Sequence, residues 1–245
     1  VTLRIFRSKI AVGPRTFELS AGELPFLVAL ARARRLLSCR ELAFQLYPEI
    51  EEELAHNRVY VYLHRLRKRY GEGVVIAGKT GYRLDAALFV DLWECDRVIH
   101  RISTAGWFGL TPGERAFLED AACENHELPQ ALPDSLMLYV ISLGRRLRVA
   151  YAQACAIRGD GPSVLRIARS MLVEDPCDEI AHELAIRAHL FAGNRLAALA
   201  QWSEYRAHLH LELSTDPSPK IRALLELDCA ADCTILMCSR RGSAE

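Results

Sequence analysis

The 245-residue sequence lacks an apolar run of about 18 residues, the length that a membrane-spanning helix requires. Its strongest apolar stretch, Leu136 to Leu143, is broken by Ser142 and stops at Gly144-Arg145-Arg146. The opening VTLRIFRSKI has neither the sustained apolar core nor the small-residue cleavage site of a signal peptide. The 8 cysteines (Cys39, Cys95, Cys123, Cys155, Cys177, Cys229, Cys233 and Cys238) include no C-x-x-C pair and are too sparse for a disulfide framework. Most fall in apolar helical patterns, where a free thiol behaves as a small hydrophobe, and the compartment expected is the cytoplasm. His208 and His210 with the late cysteines match no zinc spacing. No Ser/His/Asp set or glycine-flanked nucleophile stands out, so no active site, metal or cofactor is expected.

Neither is there disorder to invoke: 51% of residues are hydrophobic and 25% charged, as in ordinary globular chains. The length suggests two modest domains. Net charge is also missing, but only in total. Residues 1–91 hold 15 Lys and Arg against 10 Asp and Glu, whereas the remainder hold 16 against 21. One half suits phosphates and the other a different partner.

Along the basic half, residues 1–19 alternate with period two around Gly13-Pro14 and read as a small antiparallel sheet. Ser20-Ala-Gly-Glu23 and Ser38-Cys-Arg-Glu41 are capping boxes, each flanked by a leucine pair placed as a hydrophobic staple. They open a helix to about Arg35, with an irregular first turn imposed by Pro25, and a short one stopped by Pro48. A third helix is expected from about Ala55 to Tyr70. Gly73-Val-Val-Ile-Ala and Tyr82-Arg-Leu, joined through Gly78-Lys-Thr-Gly81, form a β-hairpin. Strands, three helices and a hairpin make a winged helix-turn-helix.

The rest is helical. Asp91-Leu-Trp-Glu94 and Thr111-Pro-Gly-Glu114 are further boxes. Helices follow at about 135–157, 163–174, 178–192 and 195–212, with a last one after Thr215-Asp-Pro-Ser-Pro219. Short breaks between them suggest an α-solenoid. The fold expected is an α+β N-terminal winged helix-turn-helix domain (1–91), then an all-α TPR-like helical-repeat domain (92–228) and a tail (229–245).

The third helix carries the chemistry. With Arg58 at zero on a wheel of about 100° per residue, Tyr62, Arg65 and Arg69 fall within roughly 40° of it. Val59, Leu63, Leu66 and Tyr70 gather near 110°, and Val61, His64 and Lys68 extend the polar face on its other flank. Arginines at successive turns suit a major groove, where they donate to guanine O6 and N7 and to phosphates. The hairpin sets Lys79, Thr80 and Arg83 where a wing meets the DNA backbone. Ser38 and Arg40 offer amides and a cation to a phosphate from the start of the second helix.

Gly73 to Thr80 also fits G-x-x-x-x-G-K-T, and Ala87 to Asp91 looks like a strand ending in a metal-binding aspartate. β-Branched residues between the glycines favour strand, and nothing after Thr80 leaves room for a phosphate-facing helix. Nucleotide hydrolysis is therefore not expected.

Several motifs resemble a known family. Leu19-Ser20-x-x-Glu23, Ser38-x-Arg40-Glu41-Leu42, the Asn57-Arg58-Val59-x-Val61-x-x-x-Arg65-Leu66-Arg67-Lys68 helix and Gly81-Tyr82-Arg83 are similar to the OmpR/PhoB-type winged helix. Glu174-Asp175-Pro176-x-Asp178-Glu179, Ala192-Gly193-Asn194, Tyr205-Arg206, Pro217-Ser218-Pro219 and Ile221-x-x-Leu224-Leu225 resemble the bacterial transcriptional activator domain, BTAD. Together they resemble the SARP class of bacterial activators. The resemblance implies a sequence-specific activator that binds direct-repeat sites on double-stranded DNA as a head-to-tail pair, a homodimer on DNA, and recruits RNA polymerase. By position, Arg58, Val61, Tyr62 and Arg65 would meet base edges, and Arg69, Lys79 and Arg83 phosphates. The segment between the second and third helices would meet polymerase. Its Glu49, Glu51, Glu52 and Glu53 would be repelled by DNA and attracted to a cationic protein surface. The alternative is a helical-repeat adaptor whose winged helix contacts protein instead of DNA.

Overall fold

The computed structural model describes residues 1–123 and 132–226, so the tail from 229 lies outside the described residues. The chain divides into two compact units.

The first unit comprises residues 1–98 with the start of a later helix up to Gly144. β1 (Thr2–Arg4), β2 (Lys9–Val12) and β3 (Arg15–Glu18) form the expected antiparallel meander. A 3-10 turn over Ile5–Arg7, closed by Ser8 in the left-handed region, interrupts it. The short β6 (Phe89–Val90) adds itself parallel to β1, giving the order β3-β2-β1-β6.

α1 (Leu24–Ala33) is buried without interruption from Leu24 to Ala31, which makes it the central helix of this unit. It starts later than the Ser20 box implies. The Glu23 carboxylate accepts from the Ser20 amide (2.9 Å), but the Glu23 amide donates to the Ser20 carbonyl (3.0 Å) in a separate turn. At α2 (Cys39–Leu46) the box is complete, with Ser38 and Glu41 each accepting from the other's amide. α3 (Glu52–Tyr70) begins three residues before the expected Ala55. Glu52 and Glu53 favour the positive end of a helix dipole, so they extend the helix instead of lining a loop.

β4 (Val75–Ala77) and β5 (Tyr82–Leu84) form the hairpin, and β5 docks on the chain before α2. Leu37 and Tyr82 exchange two backbone hydrogen bonds of 2.8 Å. Gly81 permits this approach, because a Cβ there would lie 2.1 Å from the Leu37 carbonyl oxygen. Thr80 is followed by a turn and a strand, not by the helix that a phosphate-cradling loop needs.

α4 (Asp91–Ala105) opens with a buried aspartate. Its carboxylate is turned back to accept from the Phe6 amide (3.0 Å) and from Leu92 (2.8 Å), instead of forming the expected box with Glu94. Burial, partly offset by those amides, pushes the Asp91 carboxyl up to about 6.

The second unit holds residues 99–123 and those from Arg145 onwards. α5 (Pro112–Cys123) starts on the predicted Thr111–Glu114 box. The end of α6 (Asp134–Ile157), then α7 (Gly161–Glu174), α8 (Glu179–Phe191), α9 (Arg195–Leu213) and α10 (Pro219–Glu226) follow, close to the expected bounds. α7 packs on α8, α8 on α9, and α10 on both α8 and α9. Ile186, Leu190, Tyr205, Leu209 and Ile221 share one buried cluster there. The architecture is a winged helix-turn-helix followed by TPR-like helices.

Candidate nucleic-acid interface

α3 buries Ala55, Val59, Leu63, Leu66 and Tyr70, a stripe recurring every three or four residues. Opposite it, the outward crest is formed by Asn57, Val61, His64 and Lys68, with Arg58 and Arg65 on one shoulder; all six are exposed. The sector centred on Arg58 therefore leans towards the core, on the side of Tyr62 and Arg69. The pole of the outward face lies about 80° away from Arg58, and Asn57, His64 and Lys68 join the candidate set. The signal was present in the spacing of the buried stripe, read from its own centre.

Arg58 and Arg65 have no ion-pair partner among the described residues. Each lies near an aromatic ring only, Arg58 5.9 Å from Tyr47 and Arg65 5.8 Å from Tyr62. Tyr62 faces inward: its ring stacks on Phe26 (5.1 Å, 22°) and its hydroxyl lies against Gly22. It fixes the helix on α1 instead of standing out towards a base.

Arg69 is likewise committed. One of its nitrogens donates to both oxygens of Glu23 (2.7 and 2.9 Å), and the guanidinium lies over the Tyr70 ring. Burial pushes the Glu23 carboxyl up, but hydrogen bonds from Ser20 and Arg69 outweigh it and hold the group below the usual carboxylate range. Tyr70 also donates to Glu23 (3.1 Å), and burial with that neighbouring charge pushes its phenol up to about 12. This clasp ties the end of α3 to the start of α1.

At the start of α2, the Ser38 hydroxyl is spent in the capping box, and Arg35 and Ser38 hold the Glu41 carboxyl down to about 2. Arg40 pairs with Glu52 (2.9 Å), both largely exposed, and such a pair opens at little cost. On the wing, Lys79 and Thr80 are exposed at the tip, and Arg83 is half-buried beside the Leu84 carbonyl. Of the acidic set, Glu49 and Glu51 precede α3, whereas Glu52 and Glu53 form its first turn. One face of the unit thus presents the α3 crest, and the wing tip adds a single exposed cation, Lys79.

Residues 142–226 match the family model of the bacterial transcriptional activator domain. The structure is also similar in fold to Mycobacterium tuberculosis EmbR, solved in complex with a low-affinity phosphopeptide (TM-score 0.62, 20% identity, covering 89% of this chain and 63% of that one). The chain thus spans less than two thirds of the length of that structure. No curated protein matches the sequence. The family match and the fold bear out the resemblance to SARP-class bacterial transcriptional activators.

Within the activator domain, the Glu174-Asp-Pro-x-Asp178 motif is a joint. Arg148, buried on α6, donates to both carboxylate oxygens of Glu174 (2.6 Å each). Arg145 does the same to Asp178 (2.7 and 2.8 Å), which also caps α8 by accepting from Ile180 and Ala181. His182 completes it, bonded to the Pro176 carbonyl (2.9 Å) and Gln201 (3.0 Å) and stacked on Tyr205. Burial lowers the imidazole below its ordinary value. Among the described residues no His, Cys, Asp or Glu group is placed to hold a metal, and no helix is long and apolar enough to cross a membrane.

Proposed function

We propose that the chain is a sequence-specific DNA-binding activator of transcription. The observation that carries this reading is the outward face of α3, where Arg58 and Arg65 are exposed and without an ion pair while Arg69 and Arg40 are paired. A helix face of about 10–12 Å diameter fits the major groove, and unpaired guanidiniums there meet guanine edges without first breaking an internal bond. Lys79 and Thr80 then lie on the adjacent backbone. Base contacts come from Arg58, Val61 and Arg65 with Asn57 and His64. Tyr62 and Arg69 act by holding the helix, and residues 1–91 carry the DNA-binding part.

Glu49, Glu51 and Glu53 form an acidic end to α3, away from its arginine-rich middle and suited to a cationic surface of RNA polymerase. Residues 92–228 supply the protein-facing part. Two copies on a direct repeat complete the reading.

Selection of bound duplexes from a random pool, followed by salt titration of the winner, tests it. A defined motif is expected, with log K falling by roughly 0.9 per phosphate contact against log salt. Recovery of unselected sequences at every salt concentration would overturn it in favour of a protein-binding winged helix.

A further inference from the structure

Between α4 and α5 a single 3-10 turn, Trp107–Gly109, buries the Trp107 indole in the second unit beside Tyr151 of α6 (ring centroids 6.0 Å apart). Two arginines from different elements meet over that indole. Arg158, immediately after α6, holds its guanidinium carbon 4.4 Å from the ring centroid, and Arg115 of α5 holds its own at 5.6 Å. Neither makes an ion pair among the described residues. Arg115 donates from one nitrogen to the Phe108 carbonyl (3.2 Å), while its Nε is buried with no hydrogen-bond partner.

This arrangement is unfavourable as it stands. A ring attracts each cation modestly, but two guanidiniums on one ring repel each other, and a buried donor left unpaired has lost its water without a replacement. A carboxylate would ordinarily stand between them. The carboxylates of these elements are committed elsewhere or held apart. Glu114 takes Arg101 (3.5 Å) and the Thr111 amide (2.7 Å), and Glu119, one turn beyond Arg115, forms no pair with it. Asp160 caps α7 by accepting from the Ser163 amide (3.1 Å). Its carboxyl is held below the ordinary range first by Ser163 and then by the charges of Arg158 and Arg166, so a third cation borders the pair.

We propose that Arg115 and Arg158 form a binding site for the diphosphate of a small ligand, held at the two guanidiniums on Trp107. An arginine fork meets two oxygens at a time, so a carboxylate satisfies one fork, whereas a diphosphate offers oxygens to both. Beside the carbonyl that Arg115 holds, the Phe108 ring is 79% exposed, and a flat body attached to the phosphates has that ring to stack on. Free inorganic diphosphate and a nucleotide share this chemistry. The site lies within the second unit and stands or falls independently of α3 and DNA.

Calorimetric titration of the full chain with pyrophosphate in magnesium-free buffer tests it. One saturable site per chain is expected, about fivefold tighter than for orthophosphate and weakened about tenfold by Arg158→Gln or Arg115→Gln. Arg158 is exposed, so its variant should keep the parent's circular dichroism. Arg158→Lys, which retains the charge but not the fork, should restore only part of the affinity. ADP is the second arm. Tighter binding than pyrophosphate, with the excess lost in Phe108→Ala, identifies a nucleotide; equal binding identifies the diphosphate alone. Binding indifferent to both arginine changes would overturn the proposal. So would absence of saturation at millimolar pyrophosphate, and a loss of duplex affinity in Arg158→Gln would then give the pair to DNA instead.

Discussion

α3 and α9 are both 19 residues long, and each rests on its unit by one buried stripe, yet their free sides are chemically opposite. α3 shows cations that no internal carboxylate pairs; α9 shows Leu196, Ala200, Ala207 and Leu211 beside Ser203, which is bonded to its own helix, and His210, which pairs with Asp216. Nothing in helix formation demands either face. The stripe that builds the fold occupies about a third of a helix, and the remainder is free to record what the surface meets. Unpaired charge suits a polyanion, and an apolar surface suits a partner whose contact expels water.

The comparison breaks first if the α3 face fails once its supports are removed. Gly81→Ala should have the largest effect, since its methyl group cannot coexist with the Leu37 carbonyl and the two hydrogen bonds between Leu37 and Tyr82 must open. A loss of about 2–3 kcal/mol in denaturant unfolding is expected, with loss of DNA binding, while sedimentation stays as in the parent. Arg65→Ala comes next: about 1–3 kcal/mol of operator affinity and relaxed preference at one base in a footprint-and-selection assay, with stability unchanged.

Acid should separate the two halves. His182 must take up a proton against burial, so the activator domain is fully stable above the ordinary imidazole value of 6.5 and loses stability as pH falls below it. Thermal melts from pH 7 to 5 should show that loss, and His182→Gln should flatten it. If parent and variant respond alike, another group governs the acid response. The smallest effect is expected for Lys79→Ala: a salt slope shallower by about 0.9 and a uniform weakening across sequences, measured by fluorescence anisotropy.

Local chemistry made much of this legible from sequence. The Ser38–Glu41 and Thr111–Glu114 boxes, the Gly78–Gly81 turn and the helix breaks at Gly159 and Gly193 depend on residues within a few positions of one another. What escaped depends on distant partners. β6 is two residues long and exists because β1 is beside it. Asp91 reads as a cap until the Phe6 amide, 85 positions away, claims its carboxylate. Tyr62 and Arg69 share a wheel sector with Arg58, and only Phe26 and Glu23 reveal that this sector is a seam. A period locates a helix's inner side; how far neighbours wrap around it is tertiary information.

The clasp at Glu23 also separates evolutionary risk along α3. The helix is gripped at its middle by Phe26 and at its far end by Glu23, whereas the turn at Glu52–Leu54 is exposed. Substitutions, or a residue gained or lost before Glu52, can therefore be absorbed by winding or fraying that turn without rotating the exposed positions from Asn57 to Lys68. A helix held this way can change the surface at its near end while the face presented by its middle stays fixed.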